Sequence, residues 1–286
     1  MAAATPLPAA AAGTFRLGDM TVHRMGFGAM RITGEGIWGE PKDPETCKRV
    51  LRRAVELGIN LIDTAASYGP DVSERIIGET LHPYANGLVI ATKGGLTRSG
   101  PGGWHPNCSP EHLTKDLEGS LRRLRVERID LYQLHTIDPK VPLEDSVGTL
   151  ARLREQGKIR HVGLSNVSVA QLRQARKLVP IVSVQNRYNL SDRHSEDVLN
   201  ECEKEGIGFL PWYPLAASSL ATDASPLAQA AKRHGVTPGQ LALAWLLHRS
   251  PVMLPIPGTS SLAHLEENTA AATVKLSPDE VRELGR

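Results

Sequence analysis

The chain has 286 residues, of which 41% are hydrophobic and 22% charged, an ordinary composition for a globular protein. Its net charge of +2 gives no basis for a nucleic-acid or anionic-membrane partner. No stretch reaches the ~20 consecutive apolar residues of a membrane span. The three cysteines, Cys47, Cys108 and Cys202, are odd in number and widely spaced. This favours reduced thiols, and therefore a cytoplasmic protein, over a disulfide framework.

The first 14 residues are rich in alanine and proline and lack the basic region and compact apolar core of a signal peptide. We predict a flexible leader over residues 1–14 and a single domain over 15–286. A domain of this size matches one α/β barrel, which typically needs roughly 250 residues.

From about residue 22, short apolar runs alternate with longer segments of helical periodicity. The runs are RMGFGAM, INLID, LVIAT, IDLYQLH, IRHVGLS, IVSVQN, GIGFLPW and VMLPIP. Strands that alternate with helices imply βαβ units and a parallel sheet. Eight of them favour an α/β fold closed into a single (β/α)8 TIM barrel. The segment GFGAMRITGEG lacks the G-x-G-x-x-G spacing of a dinucleotide-binding Rossmann fold.

Proline at the first helical position, preceded by a capping residue, marks four helix starts. These starts are Asp43-Pro44, Ser109-Pro110, Thr237-Pro238 and Ser277-Pro278. They place the helices between the apolar runs, as the barrel interpretation requires.

Four polar residues follow three of the apolar runs. Asp63 and Tyr68 close INLIDTAASYG, Lys93 closes LVIATK, and His135 closes IDLYQLH. Residues at the carboxyl ends of parallel strands build the active site of a (β/α)8 barrel. The four types also suit one reaction, the reduction of a carbonyl. Hydride transfer leaves an alkoxide that must be protonated, and a tyrosine can donate that proton.

The other three residues can support that tyrosine. A nearby ammonium stabilises a tyrosinate, so Lys93 can lower the pKa of Tyr68. Asp63 can anchor the lysine and pair its charge. His135 can hydrogen-bond the carbonyl oxygen or help to relay the proton.

Each residue also has a plain structural interpretation when taken alone. Asp63 can cap a turn, Tyr68 can be a packed aromatic, Lys93 a solvated strand end, and His135 a satisfied core histidine. A barrel hydrolase or isomerase that uses Asp63 and His135 is a rival, but it needs a second catalytic carboxylate or a metal. The coincidence of four useful types at three strand ends favours the reductase.

One cluster resembles a metal site. His105, Cys108 and His112 lie close in sequence, but no fourth ligand is near, and Ser109-Pro110 simply begins a helix. We predict no metal.

The ordered motifs resemble those of the aldo-keto reductases. They are INLIDTAASYG, VIATKGG, LYQLHTID, GLSN, VQNRYN and PIPGTSSLAHLEENTAA, and they run from about residue 20 to the C-terminus. The resemblance implies a (β/α)8 barrel that binds NADP(H) in an extended conformation. It implies that Tyr68 is the proton donor and that Lys93, Asp63 and His135 complete a catalytic tetrad.

The resemblance also implies a set of cofactor-binding residues. Ser165, Asn166 and Gln185 match positions that hydrogen-bond the nicotinamide carboxamide, and Trp212 falls where an aromatic ring stacks on the nicotinamide. The neighbouring Tyr213 is a rival, although strand alternation would point it away. Further contacts are implied for Gly28, Ala29, Met30, Leu215, Gly258, Thr259, Ser260, His264, Glu267 and Asn268.

The implied site for the adenosine 2′-phosphate departs from the family pattern. It lies at a helix N-terminus, where backbone N–H groups bind anions. Ser261 stands where a lysine is frequent, and His264 where an arginine is frequent. We therefore predict NADPH as the cofactor, with a weaker preference than usual and use of NADH open.

The loops imply a short cover over the cofactor and an open substrate pocket. Only AASSLATD follows Leu215, where many relatives carry a long cofactor-covering loop. Trp38 and Trp104 lie in loops and are predicted to line the pocket together with Met30. This favours a small aromatic aldehyde. The motifs also resemble the bacterial pyridoxal reductase group, which makes pyridoxal a candidate.

We therefore predict a reductase of small carbonyl compounds that uses Tyr68 as acid. The alternative is a barrel that binds NADPH as a redox sensor, with incidental turnover. The sequence does not decide the oligomeric state.

Overall fold

The computed structural model describes residues 7–215 and 225–285. Within these ranges the chain forms eleven strands and ten α-helices. The strands are β1 (Thr14–Leu17), β2 (Met20–His23), β3 (Phe27–Gly28), β4 (Leu61–Asp63), β5 (Val89–Gly94), β6 (Leu96–Gly100), β7 (Gly103–Pro106), β8 (Ile129–Leu134), β9 (Ile159–Ser165), β10 (Ile181–Gln185) and β11 (Gly208–Phe209). The helices are α1 (Pro44–Glu56), α2 (Val72–Leu81), α3 (Pro110–Leu124), α4 (Leu143–Glu155), α5 (Val169–Ala175), α6 (Glu196–Glu205), α7 (Pro226–His234), α8 (Pro238–Arg249), α9 (Leu262–Ala270) and α10 (Pro278–Leu284).

Seven strands form one parallel sheet in the order β11-β10-β9-β8-β5-β4-β3. The eighth predicted strand, residues 252–257, is not a regular strand. It nevertheless hydrogen-bonds to both edges of the sheet: Leu254 N donates to Phe209 O at 2.8 Å, and Gly26 N donates to Pro255 O at 2.9 Å. Pro255 and Pro257 have no N–H group, which explains why the segment forms no continuous ladder.

Side-chain alternation along the strands places three polar site residues on the inner face of the sheet, the face that does not contact the helices. Leu61, Val89 and Leu131 belong to one apolar cluster in the sheet interior. Asp63, Lys93 and Gln133 follow them at intervals of two or four residues and so point the same way. The intervening residues face outward, toward the helices.

The four predicted helix starts are confirmed. The side chains of Asp43 and Ser109 accept hydrogen bonds from the backbone N–H groups of Thr46 and His112. Thr237 and Ser277 each form a complete capping box with the residue three positions on. In all four helices proline occupies the first turn, where its missing N–H costs nothing.

An antiparallel hairpin, β1–β2, fills the interior at the amino-terminal ends of the parallel strands. Its Leu17, Met20 and Val22 pack into the interior apolar cluster. Leu17 lies so close to the backbone of Gly208 that a Cβ there would meet its Cδ2 at 2.6 Å. The apolar side chains of the hairpin therefore close this end of the sheet interior.

Part of the predicted leader is packed against the domain. Residues Pro8–Ala12 form a 3-10 helix, Ala9 is fully buried, and its N–H donates to Leu57 O at 3.0 Å. For residues 8–12 the expectation of a flexible segment therefore does not match the structure, because small alanines fit closely against the core. Residues 1–6 lie outside the described residues.

The segment AASSLATD, which is expected to form a short cover over the cofactor, also lies outside the described residues, which resume at Ser225. Within the described ranges, none of the helices has the length and apolar character that crossing a membrane requires. The three cysteines are buried and free.

Candidate active site

A buried ion pair lies at the carboxyl ends of β4 and β5. Lys93 Nζ donates to Asp63 Oδ2 at 2.6 Å, and the two side chains are 0% and 3% exposed. The ammonium also donates to Thr64 O at 2.8 Å and to the Tyr68 hydroxyl at 3.4 Å. All three ammonium protons therefore have a partner. The structure brings these three predicted residues together.

Two buried amides hold the carboxylate from the other side. Gln133 and Gln185 each donate through Nε2 to Asp63 Oδ1, at 3.0 and 2.9 Å. Gln185 was expected from the sequence only as a cofactor contact, and Gln133 was not expected at all. The signal for Gln133 was its position two residues before His135, which places it on the same face of β8.

Burial dominates the ionisation of Tyr68. Removal from water raises the pKa of its hydroxyl, and the Lys93 charge only partly counters this. Lys93 therefore lowers the pKa of Tyr68 as expected, but burial raises it by more, so the pKa lies above its ordinary value. The phenol stays protonated at neutral pH, which is the form that a proton donor needs.

Lys93 keeps its charge in spite of its burial. Desolvation alone would lower its pKa, but the Asp63 carboxylate and Tyr68 raise it overall. The site therefore holds a permanent cation beside the tyrosine hydroxyl.

His135 directly follows β8, and its ring packs edge-on against Tyr68 with 5.8 Å between the ring centroids. Burial, together with the Lys93 charge, holds the pKa of this imidazole well below its ordinary value. His135 is therefore neutral at pH 7. Its Nδ1 lies 3.3 Å from Ser67 Oγ, and no described residue bonds its Nε2. A neutral ring with one free nitrogen can orient an oxygen but is a poor proton source.

The three neutral polar residues predicted at the next strand ends also meet. Ser165 Oγ donates to Gln185 O at 2.8 Å, and Asn166 Nδ2 donates to His135 O at 3.0 Å. The Trp212 indole N–H donates to Asn166 Oδ1 at 3.0 Å. Asn166 has a positive φ of 58°, which asparagine tolerates better than most residues. These bonds fix the orientation of the amide.

A cavity of about 1100 Å³ opens above these groups. Its volume exceeds the upper end of the roughly 300–1,000 Å³ usual for ligand sites, so it has room for more than one small molecule. Most of the predicted site residues line it: Gly28, Met30, Asp63, Tyr68, Trp104, His135, Ser165, Asn166, Gln185, Trp212, Leu215, Gly258, Thr259, Ser260, His264, Glu267 and Asn268. Lys93 lies beneath it, bonded to Asp63 and Tyr68.

Besides Lys93, two predicted residues lie off the cavity, and several residues outside the predicted set line it. Ala29 is fully buried, and its carbonyl accepts a hydrogen bond from Ser73. Trp38 is 36% exposed and lies beside Arg98 instead. Tyr213 was expected to point away but lines the cavity, as does Arg31. Tyr213 has a positive φ of 61°, which breaks the strand alternation on which that expectation rested.

The far end of the cavity is the N-terminus of α9. Ser261 caps this helix by accepting a hydrogen bond from His264 N, and Thr259 Oγ1 accepts from Ser261 N at 3.0 Å. Glu267 accepts from the Thr237 hydroxyl at 2.6 Å, which joins α9 to the start of α8. The polar residues Thr259, Ser260 and His264 therefore line the cavity at this end.

Trp104 lies on a strand rather than in a loop. The segment 96–106 forms the antiparallel hairpin β6–β7, in which Arg98 pairs with Trp104. The Trp104 ring packs edge-on against both Tyr68 and His135, with centroid distances of 6.4 Å each.

The residues that resembled a metal site have separate partners. His105 Nε2 contacts Ser99 Oγ at 2.8 Å, His112 contacts Asp116, and the Cys108 thiol faces Thr136 O. Within the described residues, no group of three or more His, Cys, Asp or Glu side chains could hold a metal ion.

Comparison with known proteins identifies the class to which this fold and site belong. The model of the aldo/keto reductase family matches residues 24–286, and the chain therefore belongs to this family. It is an oxidoreductase, as the sequence motifs predicted.

Three proteins illustrate the similarity. An uncharacterized oxidoreductase of Schizosaccharomyces pombe is 54% identical over 97% of this chain and 90% of its own length. The pyridoxine 4-dehydrogenase of Escherichia coli is 42% identical over 93% of this chain and 95% of its own. An aldo-keto reductase from Klebsiella pneumoniae, solved in complex with NADP and acetate, superposes with a TM-score of 0.80. It is 28% identical, over 95% of this chain and 93% of that one.

Proposed function

We propose that this protein reduces a small aldehyde or ketone to the alcohol, using NADPH and a proton from Tyr68. The observation that carries the proposal is the hydrogen-bonded series Asp63–Lys93–Tyr68 beneath a large cavity, with a neutral His135 at its side. We also propose that the protein is cytoplasmic, because its three cysteines are free.

We further infer that the sheet closes as a (β/α)8 barrel. Residues 252–257 hydrogen-bond to both edge strands, which is the connection that a closed barrel requires. Family membership and the similarity to the Klebsiella pneumoniae structure support the same conclusion.

The residues at the two ends of the cavity fit NADPH. Hydrogen-bonding side chains of Ser165, Asn166 and Gln185 stand at the tetrad end, where a carboxamide could be held. The N-terminus of α9 stands at the other end, where a phosphate could be held. When bound, NADPH supplies the hydride.

The protein groups then do the rest of the chemistry. His135 Nε2 is available to hydrogen-bond a carbonyl oxygen, because burial keeps the ring neutral and Ser67 bonds only Nδ1. The Tyr68 hydroxyl can transfer its proton to that oxygen as negative charge develops. Lys93 stabilises the tyrosinate that remains, because its charge lies 3.4 Å from the hydroxyl.

The end of the cavity at the N-terminus of α9, where the extra phosphate of the cofactor would lie, supports a moderate preference for NADPH over NADH. The frequent lysine and arginine are replaced by Ser261 and His264, but Arg31 lines the cavity near Gly258. Arg31 is the one Lys or Arg side chain among the described residues that line this cavity. One arginine, a histidine and a helix N-terminus favour the extra phosphate less strongly than two fixed cations would.

The cavity near the tetrad suits a flat substrate. Tyr68, Trp104 and His135 present ring edges and faces to one another at 5.8–6.4 Å. We therefore propose a small aromatic aldehyde as the substrate class, with pyridoxal a specific candidate. The 42% identity with the pyridoxine 4-dehydrogenase of Escherichia coli supports it.

The test is NADPH oxidation by the purified protein with a panel of small aldehydes that includes pyridoxal. Tyr68→Phe is expected to lower kcat by about 100- to 10,000-fold, because it removes the proton donor. The dissociation constant of NADPH should not change. The same assay with NADH measures the cofactor preference.

The matched control is Tyr84→Phe. Tyr84 is half-buried, and its hydroxyl donates to Leu124 O, remote from the cavity. This variant should keep wild-type turnover. Tight NADPH binding without turnover of any carbonyl would contradict the reductase and support the redox-sensor alternative.

A further inference from the structure

Arg98 on β6 uses every hydrogen-bond donor of its guanidinium on backbone carbonyls. Nε donates to Gly103 O at 3.1 Å, and Nη1 donates to Ile37 O at 2.9 Å and Ser67 O at 3.0 Å. Nη2 donates to Gly36 O at 3.1 Å and Gly100 O at 3.2 Å. A guanidinium has five N–H donors, so none is left.

These five carbonyls belong to three separate parts of the chain. Gly36 and Ile37 lie in the loop before α1, Ser67 directly precedes Tyr68, and the other two belong to the β6–β7 hairpin. No Asp or Glu of the described ranges forms an ion pair with Arg98. The Arg98 charge therefore interacts with backbone carbonyl dipoles and not with an acidic side chain. This arrangement holds the three segments together.

The face of the same guanidinium covers Trp104. Its central carbon lies 3.6 Å from the Trp104 ring centroid, much closer than the 5.6 Å to Trp38. Stacking of a guanidinium on an indole is favourable and restricts the ring. Trp104 in turn packs edge-on against Tyr68 and His135.

We propose that Arg98 is a positioning residue that fixes Trp104 as a rigid wall of the substrate pocket. The wall selects substrates with a flat aromatic ring, which can pack against the indole. The proposal rests on the proposed function, because it concerns the carbonyl substrate of the same site. Arg98 itself contacts neither the tetrad side chains nor, on this proposal, the substrate.

The first test compares an aromatic and an aliphatic aldehyde, benzaldehyde and propanal. Arg98→Met is expected to raise KM for benzaldehyde by about tenfold, the usual range for lost apolar pocket contacts. KM for propanal and the dissociation constant of NADPH should stay unchanged. Arg98→Lys should resemble Arg98→Met, because an ammonium has three donors and no planar face. An equal fall in kcat for both aldehydes would show a merely structural role.

A double-mutant cycle links Arg98 to Trp104. Trp104→Ala should lose the preference for benzaldehyde, and adding Arg98→Met should cause no further loss, because both changes remove the same wall. Additive losses would overturn the proposal.

Arg187→Met is the matched control. Arg187 also lies over aromatic rings, at 5.7 Å from Trp212 and 5.0 Å from Tyr213, but it pairs with Asp192 instead of joining loops. This variant should keep the wild-type ratio of benzaldehyde to propanal turnover. A collapse of the ratio here would show that any arginine near the cavity has this effect.

The second test needs no activity and so separates this proposal from the proposed function. In a background with Trp38→Phe and Trp212→Phe, the remaining tryptophans are Trp104 and Trp245, and Trp245 is only 1% exposed. Acrylamide quenching then reports on Trp104. Arg98→Met should increase quenching; unchanged quenching would overturn the proposal even if the enzyme is active. Increased quenching without any wild-type turnover would overturn the proposed function, and with it the substrate selection, but would leave the positioning of Trp104 by Arg98 standing.

Discussion

The two ends of the parallel sheet are built from opposite materials. At the carboxyl ends, Asp63 and Lys93 are buried as a charged pair, and Gln133 and Gln185 satisfy the remaining carboxylate oxygen. At the amino ends, Leu17 of the β1–β2 hairpin and its apolar neighbours fill the same interior. One strand such as β4 passes from the apolar end at Leu61 to the polar end at Asp63 within three residues.

The difference separates an end whose burial favours stability from an end whose burial opposes it, where we propose that the chemistry takes place. A buried ion pair recovers only part of the cost of removing two charges from water, whereas apolar burial is directly favourable. The Asp63–Lys93 pair lies directly beneath a cavity, which Asp63 and Tyr68 help to line. The polar end is therefore best explained by what it does to Tyr68 and His135.

The strongest test of this comparison is Lys93→Met. It removes the cation that opposes the rise in the pKa of Tyr68, so kcat should fall by about 100-fold or more. It also leaves Asp63 buried without its partner, which should lower the free energy of unfolding by about 3–5 kcal/mol. Steady-state kinetics and urea denaturation measure the two effects.

The double variant Lys93→Met/Asp63→Asn sharpens that test. With no charge left to bury, most of the lost stability should return, while activity should stay low. Recovery of activity together with stability would show that the buried charges are not needed for turnover. Recovery of neither would show that the unpaired charge is not what lowers the stability of Lys93→Met.

Leu17→Ala should show the reverse behaviour at the apolar end. Leu17 is fully buried, so its truncation should cost about 2–5 kcal/mol of stability through lost contacts and a cavity. At a temperature where the variant stays folded, kcat and KM should match the wild type. A large fall in kcat for folded protein would mean that the hairpin also shapes the site.

The periodicity of the sequence was enough to predict the alternating architecture and the proximity of Asp63, Tyr68, Lys93 and His135. The reason is that Asp63, Lys93 and His135 follow apolar runs directly, and strand alternation orients them. The four proline-marked helices were also predictable, because caps act within one turn of the chain.

Long-range pairing was not predictable from local patterns. The β6–β7 hairpin contains Gly100, Gly102 and Gly103 and reads as a loop, yet it forms a ladder that carries Trp104. Arg98 joins segments about 30 and 60 residues away in sequence, and no local pattern marks such contacts. The β1–β2 hairpin was missed because its four-residue strands are too short for a clear period.

The smallest predicted effect is the pH dependence that the polar end gives to stability. Burial holds the pKa of His135 well below its usual value in the folded state, whereas the unfolded chain titrates near the ordinary value of about 6.5. Below that pH the unfolded state binds a proton that the folded state does not. Stability is therefore fully present above about pH 6.5 and falls as the pH is lowered, by up to about 1.4 kcal/mol per pH unit.

His135→Gln should remove this slope. Denaturation midpoints between pH 7 and pH 5 should show wild type losing about 1–2 kcal/mol more than the variant. The backbone N–H and hydroxyl of Ser277, together with His234, lower the pKa of Glu280 to about 2, so its contribution is lost only in stronger acid. Burial raises the pKa of Glu74, but this carboxyl is the same in both proteins and cancels in the comparison. The exposed His264 gives the matched control, and His264→Gln should keep the wild-type slope. Equal slopes for wild type and His135→Gln would show that His135 is not held neutral, and the assignment of Tyr68 as the only proton donor would then fail.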